Sequence, residues 1–162
     1  EWLRGVKANL GRKAAGGDRD VARDILGGIC DIGIANAYYV GRMKNAEPGT
    51  DAHAWGEAIK VIRPTFAQSD TAGTHVNISG AAVAKHAPNK DNAIALLEYL
   101  VTDDAQSMYA KANYEYPVKE GVELDPVVAS FGELVADDLP LTEITKHRKQ
   151  ASELVDKVGF NN

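Results

Sequence analysis

The chain has 162 residues, with 18 Lys+Arg against 23 Asp+Glu and a formal net charge of −5. Its length fits one domain of roughly 100–200 residues, and 44% hydrophobic and 25% charged residues exclude a disordered composition. No apolar run is long enough for a transmembrane helix, the acidic balance speaks against a nucleic-acid partner held through phosphates, and a single Cys excludes an internal disulfide framework or a thiolate zinc cluster.

The opening residues lack the basic-then-apolar pattern of a signal peptide. Trp2, Leu3, Val6 and Leu10 recur at helical spacing with no capping residue before them, so a helix is already running at residue 1. That is the pattern expected of an interior segment of a longer protein. Residues 11–17 form a Gly- and Lys/Arg-bearing loop. Asp18 is placed to cap a helix through Leu26, which Gly27-Gly28 stops. Ile29 to Ala35 is short and β-branched, and it reads as a buried strand of a parallel sheet. Asn36 then caps a helix over Tyr38 to Met43. This is a strand–turn–helix unit, and open α/β sheets bind ligands at the carboxyl ends of their strands.

Residues 45–54 read as a polar surface loop around Pro48-Gly49. Ile59 to Phe66 is expected as a strand limited by Pro64 to an edge or end, 71–74 as a turn, and His75 to Lys85 as a strand broken at Gly80. Asn89 or Asp91 opens a helix carrying Ala93, Leu96, Leu97 and Leu100. Thr102-Asp103-Asp104 caps a second, from Ala105 to Ala112. Asn113 to Val118 is extended, because Pro117 biases Tyr116 away from helix. Leu141 to Val158 reads as one amphipathic helix. Helices alternating with short strands make the class α/β.

Little in this chain has the spacing of a catalytic or metal motif. His53, His75, His86 and His147 do not pair at ligand spacing, and no Walker, GxGxxG or GxSxG sequence occurs. No nucleophile–base or acid–base pair stands out, so enzymatic activity is not expected. Gly16-Gly17-Asp18 suits a loop and cap better than an anion site, and Asp103-Asp104 and Asp137-Asp138 suit helix starts. Tyr38-Tyr39 is different. A phenol has an ordinary pKa near 10, so a phenolate at neutral pH needs a strong cation beside it. Trivalent iron is such a cation and prefers hard anionic oxygen. Two consecutive side chains converge in a strand-to-helix turn, whereas inside a strand they diverge. On spacing alone the pair suits aromatic packing as well as ligation. Arg19 and Arg42 suit solvated surface better than cations that balance phenolate charge or hold an anion.

Several segments resemble the periplasmic ferric-iron-binding proteins, the substrate-binding components of bacterial iron ABC transporters. They are Asn9-Leu10-Gly11-Arg12-Lys13, Gly16-Gly17-Asp18-Arg19-Asp20, and Cys30-Asp31-Ile32-Gly33-Ile34-Ala35-Asn36-Ala37-Tyr38-Tyr39-Val40-Gly41. Later segments agree: Val76 to Val83, Ala87 to Ala93, Asn113 to Val118 and Leu139 to Phe160. The resemblance implies a two-lobed α/β fold of the type 2 periplasmic binding protein kind, of which this chain is an incomplete, C-terminal portion. It implies residues 1–65 in the lobe carrying the tyrosine pair, 66–117 in the other lobe, and 118–162 as C-terminal helices returning to the first. The crossings fall near Ile62–Phe66 and Tyr116–Lys119, with Tyr114 and Tyr116 packing at the return. It implies Tyr38 and Tyr39 as ligands of ferric iron, with an anion such as carbonate as co-ligand and further ligands upstream. It implies a periplasmic monomer that delivers iron to an inner-membrane ABC permease. Many relatives place a second Cys shortly before position 30, which implies a disulfide partner for Cys30. A two-lobed receptor for a small organic ligand or anion, with the tyrosines stacking on it, is the competing expectation.

Overall fold

The computed structural model describes residues 1–65 and 72–161. Among them are nine helices: α1 (Trp2–Ala8), α2 (Asp18–Leu26), α3 (Ala37–Lys44), α4 (Asp51–Glu57), α5 (Lys90–Leu100), α6 (Asp103–Asn113), α7 (Pro126–Ala129), α8 (Leu141–Lys146) and α9 (Arg148–Val158). None is long and apolar enough to cross a membrane.

Side-chain capping bonds mark the starts of α2, α4, α6 and α7. Thr102 Oγ1 accepts from the Ala105 N–H at 3.3 Å to open α6, and Asp125 Oδ1 accepts from the Val127 N–H at 2.9 Å to open α7. At α2 the cap is Gly17 and Asp18 lies just inside the helix, while Asp20 reaches back to the Gly17 N–H at 2.8 Å. The expected loop over 45–54 ends early. Thr50 Oγ1 accepts from the His53 N–H at 3.3 Å and starts α4. The expected single helix from Leu141 to Val158 breaks at His147. Thr145 Oγ1 donates to the Thr142 carbonyl at 2.9 Å, a back-bond that bends helices, and β-branched residues crowd the same turn.

The α/β expectation is corrected in its strands. Ile29–Ala35, residues 59–65 and residues 75–85 do not form strands, and Phe66 and Thr71 lie outside the described residues. The β-pairing described is an isolated parallel bridge between Thr74 and Ala136. The Thr74 N–H donates to the Val135 carbonyl at 2.8 Å, and the Asp137 N–H donates to the Thr74 carbonyl at 2.9 Å. The physical reason is the lack of partners. A strand requires a second backbone alongside it, and among the described residues these segments have no strand partner. In the first of them Ile32 is 79% and Ile34 88% exposed.

The core is small. Ala22 of α2, Val40 and Met43 of α3, Ala105 and Ala110 of α6 and Val128 of α7 are its buried apolar residues. The α3–α4 pair is the most extensive helix contact, with α2 against α4 and α7 against α3. The accessible surface is 11,980 Å² for 17.4 kDa. A compact monomer of that mass exposes roughly 7,900 Å². The chain's own packing therefore leaves roughly 4,000 Å² more surface open than a self-contained fold does.

Candidate metal centre

Residue 36 ends the extended run after α2, and α3 begins at Ala37, so Tyr38 and Tyr39 lie in the first turn of α3. The helix forms as the Asn36 cap predicts, but the cap works differently. The Asn36 side chain makes no bond to its own helix. Its backbone N–H and its Nδ2 both donate to Asp18 Oδ1, at 2.6 and 3.1 Å. The start of α2 is thereby tied to the start of α3, and a carboxylate stands beside the tyrosines. The sequence reading assigned Asp18 to capping alone. Its contact with Asn36 lies 18 residues away, and nothing in the local pattern marks it.

The two rings lie together, with centroids 4.3 Å apart and planes inclined by 31°. The interaction with the Tyr39 hydroxyl, then burial, then the Asp18 carboxylate raise the Tyr38 phenol above its ordinary value. Arg42 opposes this, with its guanidinium carbon 5.4 Å from the Tyr38 ring centroid. Arg42 follows Tyr38 by four residues, so both lie on one face of α3. Arg42 is exposed, as expected of solvated surface, and its Nη2 also donates to Asn113 Oδ1 at 3.3 Å. Arg19 makes no comparable contact with the pair among the described interactions.

The pair thus offers two hard oxygen donors, close together, at the positive end of a helix and with a cation behind one ring. Among the described residues no group of three or more His, Cys, Asp or Glu is arranged to hold a metal. Cys30 is free and half-buried. A hollow of about 290 Å³ beside Ile59 and Phe131 and a wider one along α9 do not include the tyrosines.

No family model matches the chain. It is 41% identical to iron uptake protein A2 of Synechocystis over 159 residues, covering 98% of this chain and 45% of that protein. A Bordetella ferric binding protein superposes with a TM-score of 0.89 at 78% identity, covering 99% of this chain and 50% of that one. A Trichodesmium protein in complex with iron and citrate superposes with a TM-score of 0.88 at 37% identity, over 98% of this chain and 49% of that one. The chain is a homologue of the ferric-iron-binding proteins. It spans about half the length of the curated relatives it matches.

Proposed function

We propose that the protein binds ferric iron in the periplasm through the phenolates of Tyr38 and Tyr39 and passes it to an inner-membrane ABC permease. The observation that carries the reading is the adjacent ring pair at the start of α3, in a chain whose relatives are named for iron uptake or for ferric iron binding. Ferric iron has the charge to displace both phenolic protons at neutral pH, and the positive helix end favours the resulting anions. Two phenolates supply part of a coordination sphere. An anion takes a further share in this reading, and citrate in the Trichodesmium complex supports an anionic co-ligand. The remaining ligands come from residues outside this chain.

The exposed Ile32, Ile34, Ile62 and Ile78 and the large open surface support a two-lobed whole. In that reading residues 1–65 belong to the lobe carrying the tyrosine pair, 66–117 to the other lobe, and 118–162 return to the first. Iron capture then closes the lobes by a hinge motion and requires no catalysis. The intact receptor is a monomer in this reading. The decisive experiment titrates the full-length protein with ferric citrate and follows the visible phenolate-to-iron absorption. Tyr38→Phe/Tyr39→Phe removes the band and the bound iron. A band that persists in the double variant rejects the ligand assignment. Metal-free protein that retains a small organic molecule on purification identifies the organic-ligand receptor instead.

A further inference from the structure

We infer that Asn113 and Tyr114, at the end of α6, are positioning residues for the tyrosine pair, acting through Arg42 and Gly41 of α3. The inference rests on the iron reading of that pair. Among the described residues, Tyr114 is the one non-glycine with positive φ, at φ 61° and ψ 30°. This left-handed conformation ends α6, and it is a place where glycine or asparagine is the ordinary occupant. The turn throws the Tyr114 side chain onto α3. A Cβ on Gly41 would lie 2.6 Å from the Tyr114 Cβ and 2.7 Å from its Cγ. The ring therefore lies directly on helix backbone, at a residue that has no side chain to separate them.

The neighbouring residue makes the second link. Asn113 Oδ1 accepts from Arg42 Nη2 at 3.3 Å, and the same guanidinium lies over the Tyr38 ring. Gly41 and Arg42 follow Tyr38 by three and four residues, so both links arrive one helical turn from it on its own face. One link is packing and the other a hydrogen bond. The segment that follows is anchored elsewhere. Glu115 Oε2 accepts from Ser79 Oγ at 3.0 Å, and the Tyr116 hydroxyl accepts from Arg63. A shift in this strap is therefore delivered to the turn of α3 that holds Tyr38. The expected extended run from Asn113 to Val118 would have placed Tyr114 and Tyr116 on one face. The left-handed Tyr114 breaks that alternation and gives the two tyrosines different tasks.

The test uses the full-length protein, ferric citrate as the probe, and two readouts: the maximum of the visible phenolate-to-iron band and the iron affinity in competition with citrate. Tyr114→Gly keeps the backbone conformation and deletes the ring. Asn113→Ala deletes the acceptor. Each is expected to move the band maximum and to weaken iron binding by up to about tenfold, the lower end of what losing a direct outer-shell partner of a metal ligand costs. Tyr114→Phe keeps the ring and is expected to match the wild type. A purely structural role would lower the unfolding midpoint of the apoprotein while leaving the band maximum in place. Unchanged band and affinity in both Tyr114→Gly and Asn113→Ala overturn the inference while leaving the tyrosine ligands intact. A wild type without any band overturns the ligand reading and this inference together. Asn113→Ala changes a half-buried polar residue and leaves the core alone, so it remains informative where Tyr114→Gly does not fold.

Discussion

Gly56→Ala sets two opposing effects against each other at the contact that supports the tyrosine helix. In an open helix the change stabilises, because alanine exceeds glycine in helix propensity by about 1 kcal/mol. Gly56 is buried in α4 against α3. Its added Cβ would stand 2.6 Å from the Lys44 N, 2.7 Å from the Met43 carbonyl carbon and 3.0 Å from the Met43 Cβ. The first two are backbone atoms that no rotamer change moves. Relief requires the helices to separate, which loosens the packing around Met43, itself 2% exposed. Overpacking of this kind costs about 1–3 kcal/mol, which exceeds the propensity gain at all but its lower end. The Lys44–Glu57 ion pair across the same contact is at 3.4 Å with Glu57 exposed, and as a surface pair it contributes at most about 1 kcal/mol. Gly5→Ala is the control, since a Cβ there meets nothing within 4 Å. Urea unfolding of the full-length apoprotein is expected to show Gly5→Ala stabilised by about 0.5–1 kcal/mol. Gly56→Ala is expected to be destabilised by up to about 2 kcal/mol with the slope unchanged. A Gly56→Ala protein as stable as Gly5→Ala would refute the close α3–α4 approach.

Both phenols must lose their protons to ligate iron, and Tyr38 holds its proton above the ordinary phenol value. Iron binding should therefore strengthen as pH rises, with about two protons released per ferric ion and about one in Tyr38→Phe. Calorimetry in buffers of different ionisation enthalpy measures this, and zero net release contradicts phenolate ligation. Burial pushes the Asp24 carboxyl up, but bonds and charge from Arg12 and Arg23 outweigh it and leave it below the ordinary value. A depressed folded-state value stabilises the fold above the unfolded carboxylate value. That stability is lost as pH falls below about 4 toward the folded value. Unfolding midpoints measured on acidification should decline in the wild type and flatten in Asp24→Asn, and parallel curves would remove Asp24 from the acid transition. Thr102 Oγ1 accepts from the Ala105 N–H at 3.3 Å and donates to the Tyr99 carbonyl at 2.8 Å. Thr102→Ala should lower stability by about 1 kcal/mol on thermal unfolding, whereas Lys146→Ala, which removes an exposed helix pair, should stay within about 0.5 kcal/mol.

What the sequence makes legible follows from how local each cause is. The helices α2, α3, α5 and α6 are read from caps and apolar spacing, because both operate within one or two turns. Tyr38 and Tyr39 are noticed because adjacency in a turn is itself a local pattern, and Arg42 lies at a spacing that marks it as a neighbour of Tyr38. The Asp18–Asn36 tie, the Asn113 bond to Arg42 and the Tyr114 contact with Gly41 join residues 18, 71 and 73 positions apart. No periodicity records them. The strands fail for a related reason. Ile29–Ala35 has the β-branched composition of a buried strand, yet that composition describes a fit to a neighbouring backbone that must be supplied from elsewhere. Here the segment forms no strand and leaves Ile32 and Ile34 in solvent. The roughly 4,000 Å² of excess surface measures the same deficit on the scale of the whole chain. Sequence pattern and structure therefore agree on which faces are meant to be covered. They differ over the covering of those faces, as they do over α4, the break at His147 and the turn at Tyr114.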